Sequence, residues 1–277
     1  MQEQTIMNLL PPWLRQQITG RPPEQICEIR LRKNEAPALV TTGGEQWLTG
    51  RVRGEDLEFI INAASRYSPW AAESMAKGYL TAPGGHRIGI CGAAVVHQGQ
   101  MTGIRSVSSL CIRVAKEIRG AAAGIPLNAG SILILGPPAS GKTTLLRDLI
   151  RRLSDRGPGT VAVVDEREEL FPAGAAFDRG RRTDVLLGCP KAQGIEMALR
   201  TLGPSVIAVD EITAREDCEA LLRACGCGTG LVATAHAGDI HDFQTRELYR
   251  PLAQSGLFEL AVVMQPCKRW QAERLVP

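Results

Sequence analysis

Residues 131–150 read SILILGPPASGKTTLLRDLI, and this stretch decides the fold. Its first part, ILIL at 132–135, is the apolar run expected of a strand that is buried on both faces. Its last part carries leucine and isoleucine at helical spacing, which predicts a helix with one buried face. A short loop rich in glycine and proline joins the two. The stretch is therefore predicted to run from a buried strand through a tight loop into a helix.

The loop fits the phosphate-binding pattern in which two glycines enclose four residues and Lys and Thr follow. In this pattern backbone N–H groups close around a polyphosphate, and the positive end of the helix faces the same anion. We predict that Lys142 binds the terminal phosphates and that the Thr143 hydroxyl holds Mg²⁺. A glycine turn in an ordinary βα unit would have no use for this lysine. The candidate nucleotide-binding residues are Gly136, Pro137, Pro138, Ala139, Ser140, Gly141, Lys142, Thr143 and Thr144.

Composition restricts the class of protein and its partners. The 277 residues include 32 basic and 29 acidic side chains, and a net charge of only +3 gives no general argument for nucleic-acid binding. Eight cysteines without a signal peptide suit a reducing cytosol. No stretch reaches about 18 consecutive apolar residues, so we expect no transmembrane segment. Cys225-Gly226-Cys227 is predicted to pack, because its spacing is not that of a structural zinc site.

The chain is predicted to contain two domains, an α+β domain at residues 1–124 and an α/β domain at 125–277. For the first domain the pattern indicates a short helix within 1–20, a strand at 26–32, and helices at 56–67 and 73–78. A strand meander follows at 79–82, 86–91, 93–97 and 110–114. Residues 116–128 are small and weakly patterned, which is typical of a linker.

The second domain is predicted to be a mainly parallel sheet covered by helices on both faces. Its strands, besides the one at 132–135, are expected at 160–164, 206–209, 230–235 and 260–264. Helices are expected at 192–202 and 215–225. The stretch from 165 to 190 is predicted to be irregular.

Acidic residues follow two of these strands where each strand ends. Asp210 and Glu211 come after VIAV; Asp210 is predicted to act on the water shell of Mg²⁺, and Glu211 to polarise the attacking water. Glu166 and Glu169 follow VAVVD in the same way, so they remain rivals for the catalytic role. His236 closes a third strand at the same expected edge, where it could sense the terminal phosphate.

Two consecutive segments resemble the secretion-type traffic ATPases, which are hexameric RecA-like motors of type II and type IV secretion systems. They are GIEMALRTLGPSVIAVDEITAREDCEA and, after it, LVATAHAGD. The matching positions are Arg200, Pro204, Asp210, Glu211, Arg215, Asp217 and His236, and Asp165, Glu166 and Glu169 resemble that family's acidic box. Asp210 stands where the family commonly has glycine, and no tetracysteine module is present. The resemblance implies a RecA-like P-loop ATPase domain that binds ATP and Mg²⁺, preceded by a smaller α+β domain, and assembly into a hexameric ring.

A closer resemblance covers nearly the whole chain. Four segments are similar to the AA family of stage III sporulation proteins from endospore-forming bacteria. They are EIRLR, YLTAPGGHRIGICG, GPPASGKTTLLRD and VVDERE. That resemblance implies a cytoplasmic ATPase of the mother cell, peripheral to the membrane through protein partners. Those partners would be membrane proteins of a channel complex that joins the mother cell and the forespore.

Several arginines are candidates for acting on the nucleotide of a neighbouring subunit. Arg179 and Arg182 lie in the irregular stretch, and Arg105, with Arg87 and Arg113, lies in the strand-rich domain. Arginine charge delivered from a neighbour commonly stabilises a transferring phosphoryl group. The leading interpretation is an ATP-hydrolysing motor, and the alternative is a nucleotide-gated scaffold with little hydrolysis. A nucleic-acid motor ranks lower, since no aromatic-rich binding module is visible.

Overall fold

The computed structural model describes residues 2–21, 25–65, 78–172 and 177–275. The described residues up to Lys116, together with Pro172, form one compact unit, and those from Glu117 to Phe171 and from Phe177 onward form the second. The domain boundary near residue 125 stays a prediction, because compactness alone does not show which part folds by itself. Among the described residues, none of the helices is long and apolar enough to cross a bilayer.

As far as its residues are described, the first unit is a six-stranded antiparallel sheet with three helices. The helices are α1 (Gln2–Leu9), α2 (Pro12–Ile18) and α3 (Gly54–Ser65), and the strands are β1 (Ile26–Arg32), β2 (Ala38–Thr41), β3 (Gly44–Trp47), β4 (Tyr79–Ala82), β5 (His86–His97) and β6 (Gln100–Arg113). The strand order is β3-β2-β1-β6-β5-β4. Apolar side chains of all three helices and of the inward sheet positions share one core. The helix predicted at 73–78 lies almost entirely outside the described residues.

The meander differs from its prediction in one respect. The strands predicted at 86–91 and 93–97 are one strand, β5, with a bulge between Cys91 and Ala93. Gly92 lies at that bulge, where a Cβ would come 2.8 Å from the Arg105 carbonyl oxygen. The strand β6 begins at Gln100, ten positions before the predicted start at 110. Its first half is polar and largely exposed, so periodicity gave no signal for it.

The described part of the second unit contains a seven-stranded sheet. Its strands are β7 (Ile132–Leu135), β8 (Val161–Asp165), β9 (Thr183–Leu187), β10 (Val206–Val209), β11 (Gly230–Ala235), β12 (Leu260–Gln265) and β13 (Arg269–Arg274). Its helices are α4 (Lys142–Arg156), α5 (Lys191–Thr201), α6 (Arg215–Gly226), α7 (Ile240–Thr245) and α8 (Arg250–Gln254). The order is β13-β12-β7-β11-β10-β8-β9, and every pairing is parallel except that of β12 with β13.

Two strands of this sheet were not predicted, and both lie at its edges. The stretch predicted to be irregular up to 190 contains β9, which pairs with β8, and the end of the chain contributes β13. Both strands carry exposed charged residues, as edge strands commonly do. The strand β13 has no apolar run, and the run of β9, at 185–187, is shorter than those of the buried central strands.

The segment at the start of the second unit is fastened to α4. The Asp148 carboxylate accepts the Ala122 N–H at 2.9 Å, and the Arg152 guanidinium donates to the carbonyl oxygens of Ala122 and Ile125. Burial alone would raise the pKa of Asp148, but this N–H and the Arg151 guanidinium lower it below its usual range. The predicted linker is thus held by a buried carboxylate on the helix that follows the glycine loop.

Candidate functional site

Two glycines determine the backbone conformation and the close packing of the loop between β7 and α4. Gly141 has φ +101° at the N-cap of α4, a left-handed conformation that glycine adopts without strain. At Gly136 a Cβ would lie 2.7 Å from Ser140 Oγ and 2.8 Å from Met264 Cβ, so only glycine fits. The first-turn N–H groups of α4 have no acceptor within the helix and face out of its positive end. The loop is therefore a preformed site for an anion.

Lys142 is buried beside this loop. Lys142 is only 7% exposed, and its Nζ donates to the carbonyl oxygens of Gly136 at 2.7 Å and Pro137 at 2.9 Å. Burial lowers the pKa of Lys142, while the charges of Asp210 and Glu211 oppose that shift. The ammonium is held by neutral loop oxygens, which a phosphate oxygen could replace with a stronger charge-assisted bond.

Thr143 joins the loop to the acidic end of β10. Its Oγ1 donates to Asp210 Oδ2 at 3.0 Å, and the other oxygen of Asp210 accepts a bond from Thr234 Oγ1 at 2.7 Å. Thr234 Oγ1 also accepts the backbone N–H of Glu211 at 2.8 Å. Sequence reasoning gave Thr234 no role, although a hydroxyl inside the apolar strand GLVATA was a visible signal. The two predicted magnesium-site residues, Thr143 and Asp210, lie side by side.

Glu211 is held between two nitrogen-bearing side chains. Its Oε1 lies 2.9 Å from His236 Nε2, and its Oε2 lies 3.2 Å from the Arg167 guanidinium. The backbone of Glu211 has φ +45°, a left-handed conformation that is uncommon for a residue with a side chain. Such local strain persists only where its surroundings fix it, and it clusters at functional sites.

His236 completes a closed circuit of contacts. Its Nδ1 lies 3.1 Å from Lys142 Nζ, so Nδ1 accepts from the ammonium and Nε2–H donates to Glu211. Its backbone N–H donates to the Tyr249 hydroxyl at 3.3 Å, and that hydroxyl donates to the Ile212 carbonyl oxygen. The circuit runs through Lys142, His236, Glu211, Thr234, Asp210 and Thr143, and it returns along the backbone to Lys142.

The acids after β8 are arranged differently. Asp165 is 1% exposed and accepts three backbone N–H bonds, from Glu169, Leu170 and Phe171. Burial raises the pKa of Asp165, and these N–H groups oppose the shift. The Glu166 carboxylate lies 2.9 Å from Lys191 Nζ. Asp165 therefore shapes the loop after β8, and Glu166 is engaged in an ion pair.

None of the candidate arginines is a member of this circuit. Arg182 donates to the carbonyl oxygens of Ser154 and Gly157 at the end of α4, opposite the glycine loop. Arg179 and Arg105 are exposed. Arg113 pairs with Glu28, and Arg87 lies over the Tyr79 ring at 4.5 Å. An action of these arginines on a neighbouring subunit stays a prediction.

The donor set fits a nucleotide with Mg²⁺. The Ser140 hydroxyl is buried and has no hydrogen-bond partner among the described residues, and it lies in the loop whose glycines leave room for an anion. The Thr143 hydroxyl and the Asp210 carboxylate supply hard oxygen ligands, the type that Mg²⁺ prefers. The described residues hold no cluster of three or more His, Cys, Asp and Glu side chains that could bind a metal by itself. Mg²⁺ commonly takes one or two protein ligands together with substrate phosphates, so this arrangement is sufficient.

Comparisons with solved structures identify the fold. The pilus retraction motor PilT with bound ADP matches with a TM-score of 0.62 at 18% identity, over 96% of this chain and 82% of that chain. The ATPase DotB of Legionella pneumophila matches with a TM-score of 0.59 at 18% identity, over 90% of this chain and 76% of that chain. The fold is thus that of the RecA-like traffic ATPases with a smaller first domain, and the predicted fold class is confirmed.

Comparisons of sequence identify the family. The stage III sporulation protein AA of Bacillus subtilis (strain 168) is 35% identical over 274 residues, which cover 92% of this chain and 88% of that protein. The profile of the family described as sporulation stage III, protein AA, matches residues 1–272. The resemblance stated from the sequence is confirmed: the chain belongs to the family of sporulation stage III protein AA.

Proposed function

We propose that this chain binds ATP with Mg²⁺ and hydrolyses it at the circuit of contacts around Lys142. One observation carries the proposal: Thr143 of the glycine loop is bonded directly to Asp210, and Glu211 reaches Lys142 through His236. A phosphate-binding loop, a magnesium ligand and a carboxylate base are the parts that phosphoryl transfer to water requires. All three lie at the carboxyl ends of the parallel strands of one sheet, where open α/β sheets bind their ligands.

The binding role belongs to the loop from Gly136 to Thr144. Its backbone N–H groups and the Lys142 ammonium would hold the phosphates, and the Ser140 hydroxyl would gain a partner. The Thr143 hydroxyl and the Asp210 carboxylate would hold Mg²⁺, with Asp210 acting through water. Bound Mg²⁺ neutralises charge that develops on the phosphate oxygens.

The catalytic role is assigned to Glu211. Its carboxylate is placed by His236 and Arg167, and it can accept a proton from water in its charged form. His236 contacts both Lys142 and Glu211, so a rearrangement of the ammonium toward phosphate would alter the bond between His236 and Glu211. Glu166 is the weaker candidate, because its carboxylate pairs with Lys191 Nζ at 2.9 Å and is not a member of the circuit that reaches Lys142.

The proposed biological role is that of a motor in a sporulation channel complex. Membership of the sporulation family and a fold shared with secretion ATPases support this role. We propose that the chain forms a hexameric ring at the cytoplasmic face of a membrane in the mother cell. Membrane proteins of the channel that joins the mother cell and the forespore would anchor it and receive its motion.

The alternative is a nucleotide-gated scaffold, which needs the loop but no catalytic base. The placement of Glu211 beside His236 favours hydrolysis over this alternative. The test is ATP hydrolysis measured across protein concentration, with the assembly mass determined under the same conditions. A specific activity that rises as the ring forms supports the motor. Nucleotide-dependent assembly without turnover, at every concentration, supports the scaffold instead.

A further inference from the structure

Lys191 occupies a position that needs an explanation. It is the first residue of α5, directly after Pro190, and its side chain is 5% exposed. A buried ammonium is costly unless it is paired, and a helix N-terminus disfavours a positive charge. The first turn of α5 contains no acidic residue that could compensate for that charge. The sequence pattern gave no reason to single out this lysine.

Two carboxylates from different elements compensate for the Lys191 charge. Nζ lies 2.9 Å from Glu166 Oε2, just after β8, and 3.5 Å from Asp217 Oδ2, in the first turn of α6. Asp217 is itself buried, with a side chain 7% exposed. One ammonium thus links the end of β8, the start of α5 and the start of α6.

Asp217 transmits this link to the backbone after Glu211. The same oxygen that faces Lys191, Oδ2, accepts the N–H groups of Thr213 at 3.0 Å and Ala214 at 3.1 Å. These two residues form the turn between Glu211 and α6. Glu211 has its left-handed backbone at the start of this turn, so the turn must be held for the carboxylate to keep its direction.

Charge gives Lys191 a second effect. Lys191, Arg167 and five carboxylates line one cleft, the carboxylates being those of Asp165, Glu166, Glu169, Asp210 and Glu211. The bond to Glu166 neutralises the acid that rivals Glu211. A cleft without the Lys191 charge would be more negative and would leave Glu166 without its ion pair.

We infer that Lys191 is a positioning residue of the proposed hydrolysis site. Through Asp217 it fixes the turn that directs Glu211, and through Glu166 it keeps the second carboxylate out of the reaction. This inference rests on the proposed function for its effect on turnover. Its effect on the turn itself does not depend on hydrolysis.

The test compares Lys191→Met with Lys191→Arg and with the matched control Arg223→Met. Arg223 on α6 pairs with Glu196 on α5 at 2.8 Å, so the control removes an exposed ion pair between the same two helices. Hydrogen exchange at residues 211–217 is measured in the nucleotide-free protein, and kcat, KM and ATP affinity are measured well below the melting midpoints. Lys191→Met should raise exchange in this segment and lower kcat by about tenfold to a hundredfold, with ATP affinity nearly unchanged. Lys191→Arg should restore part of kcat, and Arg223→Met should change neither readout.

Each outcome decides for or against the inference. Unchanged exchange at 211–217 in folded Lys191→Met overturns it, and so does a loss of ATP affinity in proportion to kcat. If the wild-type ring has no ATPase activity, the proposed function fails while the exchange measurement still decides the positioning role. If Lys191→Met does not fold, Asp217→Asn tests the same link. The amide oxygen can still accept the two N–H groups, so this exchange removes only the charge that pairs with Lys191. Unaltered kcat in Asp217→Asn would then contradict the inference.

Discussion

Thr143 and Asp210 are 67 positions apart in the sequence, yet their side chains share a hydrogen bond of 3.0 Å. The bond exists because β7 and β10 run parallel and end at the same edge of the sheet, separated only by β11. Thr234 of β11 bridges that gap by donating to the other oxygen of Asp210. The magnesium-binding pair proposed for this chain therefore joins the first turn of α4 to the end of β10.

Lys142→Ala should abolish tight ATP binding and turnover, because it removes the buried ammonium that faces the loop. Folding should survive, since the partners of the ammonium among the described residues are two loop carbonyl oxygens and His236. Calorimetric titration with ATP and Mg²⁺ measures the affinity, and circular dichroism checks the fold. Wild-type affinity and hydrolysis in a folded variant would rule out the assignment of the phosphate loop.

Glu211→Gln should bind ATP with Mg²⁺ but hydrolyse it poorly, because the amide keeps the shape and loses the basicity of the carboxylate. We expect a fall in kcat of about a hundredfold or more, the size typical of general acid–base catalysis. Glu166→Gln is the comparison. Turnover near wild type in Glu211→Gln, together with its loss in Glu166→Gln, would move the catalytic role to the acid after β8.

Arginines that act between subunits should be detectable by the recovery of ATP hydrolysis in mixed rings. An Arg→Ala subunit mixed with a Lys142→Ala subunit should recover some hydrolysis if that arginine acts in trans, because some interfaces then pair an intact loop with an intact arginine. Arg105 and Arg179 are the clearest candidates for this test, and an arginine of this kind can contribute about 10³-fold. No recovery with any of the candidate arginines, despite proven mixed assembly, would count against a shared active site.

Arg182→Ala should also lower thermal stability, since Arg182 bonds to two carbonyl oxygens at the end of α4.

Asp148→Asn should destabilise the second unit at neutral pH by about 1–3 kcal/mol, the usual cost of disturbing a buried, charge-assisted hydrogen bond. The folded pKa of Asp148 is lowered, so its contribution is present above the pKa of the unfolded chain, near 3.9, and is lost as the pH falls through the folded value. Urea unfolding of both proteins at several pH values measures this difference. A difference that stays constant down to strongly acidic pH would contradict the role given to Asp148.

Cys218 should resist alkylation in the folded protein. Burial raises the pKa of its thiol to about 11, so at pH 8 only about one molecule in a thousand carries the reactive thiolate. Cys91, Cys227 and Cys267 are exposed and serve as internal controls. Mass spectrometry after brief treatment with iodoacetamide should find these three modified and Cys218 unmodified. Modification of Cys218 at the rate of the exposed thiols would contradict its burial on the core-facing side of α6.

The sequence predicted the buried parts of the fold well and the exposed parts poorly. The central strands have apolar runs and the helix after the glycine loop has a leucine stripe, and these patterns depend only on local burial. The first half of β6 is largely exposed and β9 has only a short, partly buried apolar run, so pairing with a neighbour, which no local pattern reports, defines both strands. The roles of Thr234 and Lys191 depend on partners far away in the chain. A motif marks the loop that binds phosphate, but contacts between strand ends decide which side chains surround it.

Thr234 also limits how the sheet can be redesigned. Its single hydroxyl donates to Asp210 and accepts from the Glu211 N–H, in a residue with no exposed surface. Valine has nearly the same shape, and a design procedure that fills β11 with apolar residues would choose it. That exchange would preserve the volume of the core and leave an acceptor and a donor unpaired at the two most important acids. Any homologue that keeps Asp210 and Glu211 should therefore keep a hydroxyl at position 234.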